Sequence, residues 1–333
     1  MFYELDNGIL HAQICDFGAK ITRLLVPDQK GEKADVVLGF ATEHEWRTLE
    51  PSFNAVIGRF ANRIGQAQFT LDGVTYRLPR NNGNNCLHGG LQGFHQKTWT
   101  VAERDEHHIV LTYHSPDGEE GFPGNMDVQV IYRLDGAALR IEYRATTDQP
   151  TVINLTNHAY FNLEGESSPS VLDHVLQIHA DAYTPQDENG CPTGEIAPVE
   201  GTPLDFRTPT RIGDRILHPF FAHERGINNN FILNLKQPQT TSNDLKLSPA
   251  AVLSAAGRTM AVYTDQPGLQ VYTGNYIEPN KGKSGAVYRP LCAVCLETQN
   301  FPDAPNQPSF PSAVLRPGET YTTYTVYQFN ERI

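Results

Sequence analysis

Between residues 153 and 163 the side chains alternate: Asn154, Thr156, His158, Tyr160 and Asn162 fall on one set of positions, Ile153, Leu155, Ala159, Phe161 and Leu163 on the other. A two-residue period would put the two sets on opposite faces of a strand. A face this dense in amide, hydroxyl and imidazole groups suits a polyhydroxylated ligand, because every hydroxyl of such a ligand both donates and accepts. A half-solvated outer strand would give the same pattern. A second stretch, residues 291–299, is apolar on both faces and carries Glu297 in line with Leu291, Ala293 and Cys295. It is expected to be a central strand buried on both sides. An isolated buried charge is expensive, so Glu297 is either a paired structural carboxylate or a catalytic base with a raised pKa, and the base is the expectation.

Three further segments could contribute. Residues 58–65 place Asn62, Arg59 and Arg63 among glycines, and the rigid fork of Arg63 could reach two neighbouring hydroxyls. Residues 81–93 contain His88-Gly89-Gly90, where adjacent glycines would let the backbone approach a ligand and hold a histidine at the rim. Gly226-Ile227-Asn228-Asn229-Asn230-Phe231 reads as a loop entering a strand, and its three asparagines taken alone are better read as a solvated turn. Other motifs fail. Gly282-Lys283-Ser284 lacks the upstream glycine of a phosphate loop, since Ile277 stands there. Cys292 and Cys295 have redox spacing but sit in an apolar run, and a lone pair cannot complete a four-cysteine zinc site. Asn154-Leu155-Thr156 matches a glycosylation acceptor only by accident if the chain is not exported. His107, His108, His114, His174 and His179 read as strand-edge or surface residues, Trp46 and Trp99 as packing residues.

The elements that must position these groups are strands. With 27 glycines and 23 prolines in 333 residues, interruptions are too frequent for many helices. Alternating runs at 109–114, 127–134, 139–145, 262–264, 269–273 and 321–329 are rich in Val, Thr, Tyr and Phe. Asp72-Gly73, Asp117-Gly118 and Asp135-Gly136 suit hairpin turns between them. One or two short helices are expected, one near residues 43–47. No composition shift marks a boundary, so residues 1–333 are expected to form one all-β domain, a large antiparallel sandwich. The formal charge of −12 and the scattered cations argue against nucleic acid. No long charge-free apolar run or basic leader is visible, and five cysteines are not a disulfide scaffold, so a soluble cytoplasmic protein is expected.

Taken together, residues 58–65, His88-Gly89-Gly90, Asn157-His158-Ala159-Tyr160-Phe161-Asn162-Leu163, Gln270-Val271-Tyr272-Thr273-Gly274-Asn275 and Cys295-Leu296-Glu297-Thr298-Gln299 resemble, in order, the aldose 1-epimerase (galactose mutarotase) family. Phe301-Pro302-Asp303-Ala304-Pro305-Asn306-Gln307-Pro308 and Leu315-Arg316-Pro317-Gly318-Glu319 resemble its closing segment, so the likeness spans nearly the whole chain. The resemblance implies a β-supersandwich, with Glu297 as general base, His158 as general acid and His88 as a second histidine at the sugar. Asn62, Arg63, Tyr160, Asn228 and Gln270 would surround the hydroxyls. Asn228 stands where the family usually has Asp, which keeps the shape and loses the charge.

The implied reaction interconverts α- and β-anomers of a free aldohexose such as glucose or galactose. It needs no metal, redox cofactor or covalent intermediate. A protonated His158 beside Glu297 would deliver the acid. The partner would be a monosaccharide, with neither nucleic acid nor membrane involved, and the chain a monomer or homodimer. Three rivals remain. A glycoside hydrolase or lyase would need a second carboxylate, for which Asp205, Asp265 and Asp303 are candidates. A sugar-binding module without catalysis is suggested by Asn228. A hexose 6-phosphate epimerase would need more cations than Arg59 and Arg63.

Overall fold

The computed structural model describes residues 1–50, 52–235, 239–240 and 245–330. Almost every regular element is a strand, and every ladder between paired strands is antiparallel. The expected runs are all present, mostly longer than expected: His108–Ser115, Met126–Asp135, Ala138–Thr147, Arg258–Thr264 and Tyr321–Phe329, with Gly268–Tyr272 one residue earlier. All but the last-named strand belong to a ten-stranded sheet, continued through Lys246–Ala255 to Val175–Ile178. Met126–Asp135 shows why the sheet is half-buried. Its residues alternate between buried and more exposed along the whole strand, with Asp127, Gln129, Arg133 and Asp135 outward and Ile131 the one apolar residue among them.

A second sheet of five strands runs Ala197–Pro198, Ala180–Tyr183, Asn228–Leu233, Gly268–Tyr272, Cys295–Gln299. The inner faces of the sheets meet in one large apolar cluster that includes Val130, Ile141, Leu253, Val262, Leu269, Val271, Leu296 and Tyr327. This is the expected antiparallel sandwich.

Cys295–Gln299 is buried at every residue, yet it is the terminal strand of its sheet rather than a central one. Its free edge is closed by side chains instead of a further strand. Thr156 Oγ1 donates to Thr298 O at 2.9 Å, and Tyr327 Oη donates to Leu296 O at 3.2 Å.

The turns follow their chemistry. Asp72 and Gly73, both at positive φ, close the two-residue hairpin between Gln68–Leu71 and Val74–Arg77. Asp135 ends its strand, and Gly136 opens the turn to Ala138–Thr147. Asp117-Gly118 does not make a tight hairpin. It begins a longer connection with a 3-10 turn at Glu119–Gly121, where Asp117 Oδ1 accepts the Gly124 N–H at 2.6 Å. The helix expected near residue 43 is Glu43–Thr48, held by a capping box between Thr42 and Glu45 and burying Trp46. A one-turn helix at Gly213–Ile216 is the other α element among the described residues. No described helix is long and apolar enough to cross a membrane.

Candidate active site

Three neighbouring strands of the five-stranded sheet form the floor of a cleft of about 490 Å³. Gln270 pairs directly with Glu297 on one side and with Asn230 on the other. The period of two then puts Asn228, Gln270, Tyr272 and Glu297 on the same face, and all four line the cleft. The three asparagines are therefore not a solvated turn. They are buried strand residues, with Asn228 Oδ1 accepting from Gln270 Nε2 at 2.8 Å and Asn230 Nδ2 donating to Thr184 Oγ1 at 3.2 Å.

His158 approaches Glu297 from a different part of the chain. It follows the two-residue strand Thr156–Asn157, and its backbone is clamped on both sides: its N–H donates to Ala55 O at 2.9 Å and its carbonyl accepts from Asn54 N at 3.0 Å. Its ring stacks on Tyr160 (4.9 Å, 11°), which stacks on Phe53 at 4.0 Å. His88 meets it edge-on at 5.3 Å. The His88 loop needs its glycine: Gly89 is at φ +81° and a Cβ there would lie 2.0 Å from Gly58 O. That close approach joins the loop to residues 58–65. His88 N donates to Asn62 O at 2.9 Å, and Asn62 N donates to His88 Nδ1 at 3.2 Å. With Nδ1 an acceptor, the neutral ring carries its proton on Nε2 and is a donor there. Arg63 is fixed by Asn62 Oδ1 at its backbone and by Asn82 Oδ1 at Nε (2.9 Å), leaving its two terminal nitrogens without a protein partner among the described residues.

Electrostatics set Glu297 apart. It is 2% exposed, and its Oε2 is buried with no hydrogen-bond partner. His158 Nε2 stands 3.7 Å from Oε1, too far for a hydrogen bond, and His158 Nδ1 is also unpartnered. Burial pushes the Glu297 carboxyl well above its ordinary range and brings His158 down to about 4. His88 is lowered well below 6.5, by burial first and then by His158, His95 and Arg63. The expected protonated His158 is thus not the resting form: loss of hydration at this buried position outweighs attraction across 3.7 Å. The pair still holds one proton, because imidazolium–carboxylate and imidazole–carboxylic acid differ only in where it sits.

Comparison with known proteins agrees with this architecture. The aldose 1-epimerase family model matches residues 1–328. The chain belongs to the aldose 1-epimerase family. It is 46% identical to the galactose mutarotase of Sus scrofa over 98% of this chain and 93% of that protein. It is 37% identical to the aldose 1-epimerase of Escherichia coli K12 over 97% and 93%. A solved aldose epimerase homologue from C. elegans superposes with a TM-score of 0.90 at 30% identity, covering 99% of both chains. The galactose 1-epimerase from Lactobacillus acidophilus gives 0.84 at 27%, over 99% of this chain and 95% of that one.

All eight residues singled out in the sequence line this one cleft of the aldose epimerase fold: Asn62, Arg63, His88, His158, Tyr160, Asn228, Gln270 and Glu297. The rest of the alternating stretch does not. Asn154, Thr156 and Asn162 are buried and hold backbone instead. Asn154 bonds Asn300 N and O (2.8 and 3.1 Å), Thr156 the carbonyl of Thr298, and Asn162 Nδ2 the carbonyl of Cys292 (2.9 Å). Arg59 points away from the cleft, into the carbonyls of Ser115, Pro116 and Pro123. His174 is not a surface residue but fully buried, accepting the Leu163 N–H at 2.9 Å.

The cleft also contains groups the sequence did not announce: Glu50, Asn82, Glu188, Glu224, Tyr272 and Tyr276. Tyr272 could have been found two residues from Gln270 on the same face. Glu224 and Tyr276 lie in loops with no period to reveal them. Among the described residues no three His, Cys, Asp or Glu side chains cluster so as to hold a metal ion.

Proposed function

We propose that this chain is an aldose 1-epimerase that interconverts the α- and β-anomers of free aldohexoses, glucose and galactose among them, with Glu297 as base and His158 as acid. The supporting observation is the placement of a buried, unpartnered carboxyl and a buried imidazole 3.7 Å apart on one cleft wall. Near-full-length likeness to galactose mutarotases supports the same reaction.

A hemiacetal presents O1–H and O5 on adjacent bonds of one carbon. Hydrogen bonds from the sugar replace the hydration that burial removes, so the imidazolium–carboxylate form becomes accessible once substrate is bound. Glu297 takes the O1 proton, the C1=O bond forms, the C1–O5 bond breaks, and O5 takes the proton of His158. This step discharges both side chains, and a low-dielectric cleft favours that outcome. After rotation about C1–C2, the aldehyde presents its other face. Glu297 returns its proton to O1, O5 attacks C1 and His158 recovers the O5 proton. Neutral His88, donating from Nε2, and Arg63, with two free nitrogens, would hold hydroxyls or the ring oxygen.

Besides Glu297 the cleft places three carboxyl groups (Glu50, Glu188, Glu224) against one guanidinium, which disfavours a phosphorylated sugar. None of Asp205, Asp265 and Asp303 lines the cleft: Asp205 is bound to Arg207, Asp265 accepts the Tyr324 N–H and Asp303 is bound to Gly65, Asn306 and Gln307, which disfavours a hydrolase built on any of them. We place the enzyme in the cytoplasm, where its five buried free thiols would stay reduced, as a one-domain monomer or homodimer that uses neither membrane nor nucleic acid. Polarimetry on freshly dissolved α-glucose and α-galactose tests the proposal. Acceleration of the approach to anomeric equilibrium is expected, and sugar binding without acceleration would refute it.

A further inference from the structure

We propose that Glu224 binds the substrate, supplying a negative charge at the cleft wall beyond Asn228 and selecting sugars by the ring hydroxyls remote from the hemiacetal. The inference rests on the epimerase function proposed above and adds a residue to it.

Glu224 lies in the segment that connects Phe221 to the strand Asn228–Leu233, and it lines the cleft with its side chain 17% exposed. Its carboxylate is held, not adrift. Oε2 accepts from Asn228 Nδ2 at 2.8 Å and from Tyr276 Oη at 3.3 Å. Asn228 Oδ1 in turn accepts from Gln270 Nε2 at 2.8 Å, and Gln270 is the cross-strand partner of Glu297. Both ends of the Asn228 amide are therefore engaged by protein, and the neutral Asn228 orients the charged Glu224. The second oxygen, Oε1, has no hydrogen bond among the described residues; His223 Nε2 stands 4.0 Å from it.

Position and chemistry agree. Asn228 is two strands across and two residues along from Glu297, about 12 Å at ordinary strand spacing and rise, and Glu224 bonds its far side. With the hemiacetal at Glu297, that span brings Glu224 to the far hydroxyls of a pyranose. A carboxylate oxygen accepting from a hydroxyl makes a charge-assisted bond about twice as strong as a neutral one. A site that holds such an acceptor rejects the analogue lacking the hydroxyl, because the acceptor is left desolvated and unpaired.

The experiment measures kcat/KM for mutarotation of galactose, glucose and their 2-, 3-, 4- and 6-deoxy analogues by the parent, Glu224→Ala and Glu224→Gln. In the parent, one deoxy sugar should lose about 10–100-fold relative to the full hexose. In Glu224→Ala that ratio should collapse towards one, with galactose itself losing about 10–100-fold mainly through KM, and Glu224→Gln should fall between. If Glu224 only braced Asn228, the variants would slow all sugars alike and leave the deoxy ratios unchanged. That result, or unchanged kinetics, overturns the inference while leaving the epimerase proposal standing. A parent that mutarotates no aldose overturns both.

Discussion

Glu297 is costly to keep. Its carboxyl is buried without a hydrogen bond, and replacing it by an amide removes a titratable group from an apolar wall. Glu297→Gln should therefore lower kcat by about 10²–10⁴-fold in polarimetry while calorimetry still detects galactose binding. The same variant should be more stable. The sign follows from linkage: below the unfolded carboxyl's pKa both states are protonated and nothing is gained. Above it the unfolded state ionises while the native group, held high, does not, so the parent loses stability that the glutamine variant keeps. Thermal melts should show the variant higher by roughly 2–4 °C at neutral pH, with the difference vanishing towards pH 4. A variant that melted lower at every pH would mean that the carboxyl has an ionic partner.

The one-proton pair also sets the pH profile. Activity should fall on the acid side as the pair takes a second proton, near the depressed His158 value of about 4. On the alkaline side it should fall as Glu297 loses its proton, at a pH well above the ordinary carboxylate range because burial holds that proton. A profile that fell through pH 6.5 with an ordinary histidine titration would show His158 to be hydrated in the working enzyme.

At the scale of elements, strand positions were legible because a period of two is written in the residues, whereas contacts made by short irregular pieces were not. The strand carrying Glu297 was recognisable from its double-sided apolar pattern, but its place at the end of the sheet was invisible. The pattern records burial, and burial here comes from Thr156 and Tyr327, far away in the chain. The alternation from Asn154 to Asn162 misled in the opposite way. Its polar residues alternate as a sugar-binding face would, yet three of the five serve backbone groups in a region whose only ladder among the described residues is the two-residue pairing of Thr156–Asn157 with Val56–Ile57. Asn154 bonds both backbone groups of Asn300, which follows the Glu297 strand, and contacts Ala61 O, beside Asn62. Asn154→Ala should cost about 2–4 kcal/mol in urea unfolding, because several buried backbone groups lose their partner together. A loss below about 0.5 kcal/mol would mean that ordered water replaces the amide.

For the whole molecule, family and site were legible because the cleft is assembled from a few strongly typed motifs, each tied to a strand end or a glycine turn. Glu224 and Tyr276 escaped because a loop residue meets the cleft through the path of the backbone, which no local pattern records. The net charge of −12 says little about fold, yet it bears on selectivity once the cleft is known. Glu50, Glu188 and Glu224 face one guanidinium there, with Glu297 held neutral by burial, so the local potential has the sign of the whole chain. A neutral hexose gains or loses little from that field, whereas an anionic one must enter against it. Galactose 6-phosphate should inhibit galactose mutarotation at least about 10-fold more weakly than a neutral deoxy sugar of similar size at low ionic strength, and the gap should narrow as salt screens the field. Equal inhibition at low salt would require a cation at the cleft besides Arg63, and would return the hexose phosphate epimerase to consideration.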